Sequence, residues 1–166
     1  MSKSSAAAND QESVKRSVVH ATFTIERTFK FPPARVFAAW AQPELKARWF
    51  KAPPDKSTET RRKQDFRVGG SEQLSAAWTG SYTSHFDAYY LDIVPNERII
   101  YAYHMHLDDK HISASLATVQ FKAEGSGTRL ILTEQGAFLD GYDDSGSREK
   151  GTAGLMDKLA AELEKS

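Results

Sequence analysis

The feature that most constrains this chain is the order of its segments between residues 22 and 70. A period-two run, Thr22-Phe-Thr-Ile-Glu-Arg-Thr-Phe29, meets Phe31-Pro-Pro-Ala-Arg-Val-Phe-Ala-Ala-Trp40. Pro43-Glu-Leu-Lys-Ala-Arg-Trp-Phe50 follows, and then Asp65-Phe-Arg-Val-Gly-Gly70. One strand enters two short helices, and a series of strands then opens on a paired-glycine break. That order describes a sheet curved around a space, and it directs the search for function to that space and its mouth.

Residues 19–30 alternate, with Val19, Ala21, Phe23 and Ile25 on one side, so this strand has one buried face. Pro32-Pro33 stops it and suits a helix's first turn, after which Val36, Phe37 and Trp40 fall at helical spacing. Pro43 restarts the chain as a second short helix with Leu45, Trp49 and Phe50 together. The charged stretch 56–64 reads as an exposed edge strand or loop. Phe66, Val68 and Gly69-Gly70 read as a strand with a bulge or sharp bend, where glycine relieves crowding as a sheet curls. Three longer strands follow, at about 80–94, 97–107 and 111–123, with Asp108-Asp109-Lys110 as a hairpin loop. Residues 128–135 alternate again. A Gly- and Asp-rich linker, 136–146, leads to a helix over 147–164, with Thr152, Leu155, Met156, Leu159 and Leu163 in one stripe. Short loops between consecutive strands favour antiparallel pairing. The expectation is an α+β fold in which a curved six- to seven-stranded antiparallel sheet wraps around a long C-terminal helix.

Composition sets outer bounds. With 166 residues, one domain is expected over residues 18–166, after a disordered polar tail at 1–17 that includes Lys15 and Arg16. Lys plus Arg and Asp plus Glu are both 22, so a nucleic-acid partner, which would need a basic surplus, is not expected. No apolar run approaches the roughly 20 residues of a membrane span, and no secretory signal opens the chain. Cysteine is absent, which removes disulfides and thiolate chemistry and fits a cytoplasmic location.

The runs Arg35-Val-Phe-Ala-Ala-Trp40, Pro43-Glu-Leu with Arg48-Trp-Phe50, Asp65-Phe-Arg-Val-Gly-Gly70 and Tyr90-Leu-Asp-Ile-Val-Pro-Asn-Glu-Arg98 stand in a telling order. In them, and in Thr128-Arg-Leu, Leu132-Thr-Glu134 and Phe138, the chain resembles the bacterial homologues of the heat-shock-protein-90 ATPase activator. The resemblance covers roughly residues 20–163. It implies the START-like superfamily and its helix-grip fold, which tends to leave a cavity under the last helix. Members of that superfamily include lipid carriers, cyclases and hydrolases, so fold alone does not select a function. Two positions depart from the family pattern. A His-Glu-x-Gly-Trp motif often opens the last helix, and here Arg148, Glu149, Gly151 and Thr152 stand in its place. The preceding strand often ends in His, and here the position holds Glu134.

Strand parity proposes the site. Ile99, Tyr101, Tyr103 and Met105 share a face that looks buried, and Ser115, Ala117, Val119 and Phe121 share another, whose small residues leave room beside the two tyrosines. Leu130, Leu132 and Glu134 point one way, so Glu134 is a carboxylate on an apolar side, where burial raises its pKa and favours a ligand or a basic partner such as Arg67 or Arg148. The expected ligand-binding set is Trp49, Phe66, Trp78, Tyr90, Tyr101, Tyr103, Val119, Glu134, Thr152, Leu155 and Met156. His104-Met-His106, with Asp108, Asp109 and His111 across the hairpin, has donor types that zinc accepts. Its face reads as solvent-exposed beside a loop tip, so a polar hairpin is expected there, with no metal and no cofactor. No Gly-x-Ser-x-Gly elbow is present, and Gly125-Ser-Gly127 is too short for a phosphate loop; no catalytic residue is assigned. The function expected is binding of a small hydrophobic or aromatic molecule between the sheet and the last helix. A cyclase- or hydrolase-type enzyme using Glu134 or a cavity tyrosine is one alternative, and a module for a protein partner is the other.

Overall fold

In the computed structural model, which describes residues 15–165, a seven-stranded antiparallel sheet runs in the order β1-β7-β6-β5-β4-β3-β2. Strand β1 (Val18–Phe29) leads into helices α1 (Pro33–Ala41) and α2 (Pro43–Trp49). Strands β2 (Ser57–Gln64), β3 (Ser71–Trp78), β4 (Thr83–Val94), β5 (Arg98–Leu107), β6 (Lys110–Glu124) and β7 (Gly127–Leu139) then meander across the sheet, and α3 (Ser145–Lys165) closes the chain. This is the α+β helix-grip layout, with its curved sheet and two short helices after the first strand.

Local chemistry explains the boundaries. Proline occupies the first turn of both α1 and α2, where its missing N–H costs no hydrogen bond. Glu44 opens α2 and Lys46 and Arg48 lie in its last turn, each complementing the helix dipole. The Asp144 carboxylate accepts from the Ser147 backbone N–H at 2.8 Å at the start of α3. That bond holds Asp144 below the usual carboxylate range.

Several sequence expectations shift. The segment around Phe66 and Gly69-Gly70 is a turn between β2 and β3, not a strand, and Val68 is exposed on it. Gly69 has φ +84°, and a Cβ on Gly70 would fall 2.1 Å from the Asp65 carbonyl oxygen, so both glycines serve turn geometry. A full strand, β3, occupies residues between that turn and Trp78 that the sequence reading left unassigned. Strand β7 runs on to Leu139 and shortens the linker before α3. Of the expected tail, residues 1–14 lie outside the described residues. Arg16 and Ser17 belong with the domain: the Arg16 guanidinium meets Asp140 at 2.7 Å, and the Ser17 backbone N–H donates to the same carboxylate at 2.9 Å.

The core occupies the concave side. Val36, Phe37 and Trp40 of α1, Trp49 of α2 and Met156, Leu159 and Leu163 of α3 pack against Phe23, Ile25, Ile99, Val119, Phe121, Leu130 and Leu132 of the sheet. Trp40 and Trp49 meet edge to face with centroids 4.8 Å apart, and the Trp49 indole N–H donates to the Ala39 carbonyl at 2.9 Å. No helix among the described residues is long and apolar enough to cross a membrane.

Candidate functional site

The concave face is filled at one end and hollow at the other. At the filled end α1 and the C-terminal half of α3 cover β1, β7 and β6. Toward β3 and β4 the N-terminal half of α3 stands over a cavity of about 460 Å³. Its walls come from Trp49 and Phe50 at the end of α2, Leu74, Ala76 and Trp78 on β3, Phe86 on β4, Tyr101, Tyr103 and Met105 on β5, and Thr152, Leu155 and Met156 on α3. Alternation on β3, β4 and β5 turns these side chains inward, so the aromatic wall follows from period two alone. Gly151 and Gly154 also line the cavity, and a Cβ on either would meet nothing within 4 Å. The missing side chains on this half of α3 leave part of the hollow that a larger residue would occupy. Exposed Lys51, Lys150 and Lys158 stand around the opening.

One polar group of residues forms the floor. The Tyr103 hydroxyl donates to Glu134 Oε1. Arg148, at the first turns of α3, donates through Nη1 to the Tyr103 oxygen at 2.9 Å and through Nη2 to Ser113 Oγ and Asp143 Oδ2, each at 2.8 Å. Glu134 Oε2 lies 3.8 Å from the Arg148 guanidinium, has no hydrogen-bond partner and is buried. Burial pushes the Glu134 carboxyl above its ordinary range, against the opposing pull of the Tyr103 hydrogen bond and the Arg148 charge. Burial likewise raises Tyr103, reinforced by the neighbouring carboxylate, and raises Tyr101, so both phenols keep their protons. Of the two arginines the sequence offered Glu134, Arg148 is the partner. Arg67 instead meets Asp65 at 2.9 Å on the surface.

Of the eleven residues expected around a ligand, the structure brings Trp49, Trp78, Tyr101, Tyr103, Glu134, Thr152, Leu155 and Met156 to the cavity wall. Phe66, Tyr90 and Val119 lie elsewhere, which corrects their assignment. Phe66 packs in the solid core, with ring centroids 5.8 Å from Phe37 and 5.0 Å from Tyr90. Val119 is wholly buried there. The reason is that α1 and α2, and not α3 alone, cover the concave face. Val36, Phe37 and Trp40 of α1 and Trp49 of α2 fill the region around Phe66 and Val119.

Tyr90 has a different role. Its hydroxyl donates to Glu72, and Gln64 Nε2 donates to the Tyr90 oxygen at 3.0 Å. The Lys46 ammonium donates to the same Glu72 carboxylate at 2.6 Å, with Lys46 4% and Glu72 3% exposed. Its Nζ sits 4.7 Å from the Phe50 ring centroid. Burial lowers the Lys46 pKa, and Glu72 opposes that shift. This network ties α2 to β3 and β4 beneath the cavity. The sequence reading missed it because β3 was unassigned; once Leu74, Ala76 and Trp78 are seen to alternate inward, Glu72 falls on the same face.

A helix-grip α+β domain with a cavity between the sheet and the N-terminal half of its last helix is the class that fold and site define. The chain belongs to the family described as Activator of Hsp90 ATPase homolog 1-like protein, whose model matches residues 30–164. Among solved structures, it is similar to an uncharacterised protein from Rhizobium leguminosarum at 49% identity and TM-score 0.87, covering 92% of this chain and 99% of that one. A protein from Rhizobium loti matches at 46% identity and TM-score 0.79, over 88% of this chain and 99% of its own. One from Chromobacterium violaceum matches at 26% identity and TM-score 0.72, over 86% and 96%. No curated protein matches the chain.

Proposed function

We propose that the chain binds a small hydrophobic or aromatic molecule that is uncharged or cationic and carries a hydrogen-bond donor. The observation that carries this reading is the buried, unpartnered Glu134 Oε2 at the floor of a largely apolar cavity. A buried acceptor without a partner is unfavourable by about 1–3 kcal/mol, and a ligand hydroxyl or amine would remove that deficit. The volume of about 460 Å³ lies within the range of small-molecule sites. Charge argues against an anion: Arg148 already faces two carboxylates, Glu134 and Asp143. The same pairing favours binding over acid–base chemistry, because Tyr103 and Arg148 hold Glu134 in place. A cytoplasmic location, with no nucleic-acid partner, accompanies this reading.

Titrating 1-naphthol and 1-naphthoate while following emission from Trp49 and Trp78 tests it. Naphthol should bind and change the emission, naphthoate should bind at least about tenfold more weakly, and Gly154→Leu, which fills the space beside α3, should abolish binding without lowering stability. Failure of both compounds, or preference for the anion, would overturn the reading. A protein partner, as the family's description as an activator of an Hsp90 ATPase suggests, would then be the better proposal.

A further inference from the structure

Four of the chain's five histidines, His85, His104, His106 and His111, fall on β4, β5 and β6, where the sheet turns its back on the cavity. Three of them converge. His104 and His106 are two apart on β5 and so point the same way. Plain alternation would put His111 with Ser113 and Ser115 on the opposite, inward face. A β-bulge prevents this: Met105 pairs with Ser113, but His106 pairs with His111, leaving Ile112 as the extra residue on β6. Both Ile112 and Ser113 are buried, and His111 emerges on the outer face beside His106. Re-aiming one side chain is a recurrent use of bulges.

The rings are in contact. His106 and His111 stack with centroids 4.6 Å apart and planes 10° from parallel, and His104 lies 5.3 Å from His106 and 5.4 Å from His111. One ring nitrogen from each can be chosen so that all three lie within 4.8 Å of one another. Tetrahedral zinc with Zn–N near 2.0–2.1 Å needs its nitrogens roughly 3.4 Å apart with their in-plane lone pairs convergent, so His106 and His111 would turn out of their stacked arrangement to share an ion. His111 has its ring fixed as metal-bound histidines commonly do: Nε2 donates to the Ser113 carbonyl at 3.1 Å, which leaves Nδ1 with a free lone pair. Across on β4, Asp87 pairs with His104 and His85 with His106, supplying further polar groups next to the cluster.

We propose that His104, His106 and His111 form a surface site for a late first-row divalent cation of the zinc, nickel and copper class, with at least one coordination position left open to solvent. Three imidazoles suit these metals and not the hard, oxygen-seeking cations magnesium and calcium. An open position is what three-ligand sites keep for water or an incoming group. The site lies on the other side of the sheet from the ligand cavity and does not depend on it, since Tyr103 and His104 face opposite ways.

Untagged full-length chain is the right material, because a purification tag of histidines would bind the same ions. Zinc should raise the melting temperature in a concentration-dependent way by mass action, and cobalt should give the visible absorption of a nitrogen-rich site, while magnesium should do neither. His106→Ala and His111→Ala should each weaken zinc binding at least about tenfold, and His20→Ala on β1 should leave it unchanged. All of these side chains lie on strand surfaces, so metal-free melting temperatures of the variants check that the fold is intact. Absence of zinc binding, or binding that survives the triple His104→Ala, His106→Ala, His111→Ala variant, would overturn the proposal.

Discussion

Replacing Arg148 by methionine probes the floor of the cavity most directly. The guanidinium makes hydrogen bonds to Tyr103, Ser113 and Asp143 and an ion pair with Glu134, and Arg148 is 9% exposed. Removing one member of a buried pair leaves the other charge uncompensated, typically at about 3–5 kcal/mol. Glu134 can limit that loss by taking up a proton, which makes the cost depend on pH. A carboxyl whose folded pKa lies above its unfolded value of 4.5 keeps its proton in the fold after the unfolded chain has released it. Stability then falls as pH rises through that window and levels off above the folded pKa. Loss of the Arg148 charge, which pulls the Glu134 pKa down, widens the window upward. Arg148→Met should therefore be least damaging near pH 5 and most damaging near pH 8. Glu134→Gln should remove that dependence, and the double variant should be more stable at about pH 8 than Arg148→Met alone. The expected coupling energy is ~1–3 kcal/mol. Urea titration of the four proteins across that pH range measures it. Additive single effects with a flat pH response would show that the two side chains do not act as a unit.

Two further expectations concern the scaffold. Leu159, on the inner face of α3, is 0% exposed, so Leu159→Ala should cost ~2–5 kcal/mol by denaturant titration; a loss below ~0.5 kcal/mol would mean that α3 does not seal the core. Glu72→Ala strands the buried Lys46 ammonium and should cost ~3–5 kcal/mol, whereas the paired change Lys46→Met with Glu72→Leu should recover most of that loss in thermal melts. Equal damage from the single and the paired change would place the cost in packing and not in charge.

Much of the fold was legible because its signals are local. Proline at the head of α1 and α2, alternation in β1 and β5, and the apolar stripe of α3 each follow from a few neighbouring residues. The Asp65–Gly70 turn was misread because Phe66 and Val68 alternate like a strand, although Gly69 needs positive φ and Gly70 needs close backbone approach. Strand β3 was missed because its inward positions, Glu72, Leu74, Ala76 and Trp78, begin with a charge. Only the Lys46 ammonium from α2, non-local in sequence, makes that charge tolerable. His111 is a third case: parity cannot anticipate the extra residue that a bulge inserts.

The two departures from the family pattern, read separately in the sequence, are one arrangement in the structure. Arg148 stands where a histidine often opens the last helix, and Glu134 stands where the preceding strand often ends in histidine. The fold brings the two positions within 3.8 Å, with Tyr103 bonded to both. Glu134 without Arg148 would be a buried carboxylate with no cation beside it, an arrangement costing several kcal/mol, whereas Arg148 is paired with Asp143 as well. Together they hold an arginine beside a carboxylate while leaving one buried carboxylate oxygen without a hydrogen-bond partner. The floor so built is an acceptor flanked by a fixed cation. The middle of β7 and the first turns of α3 meet at that point, so the polar contact at the floor is set by two residues fourteen positions apart in sequence.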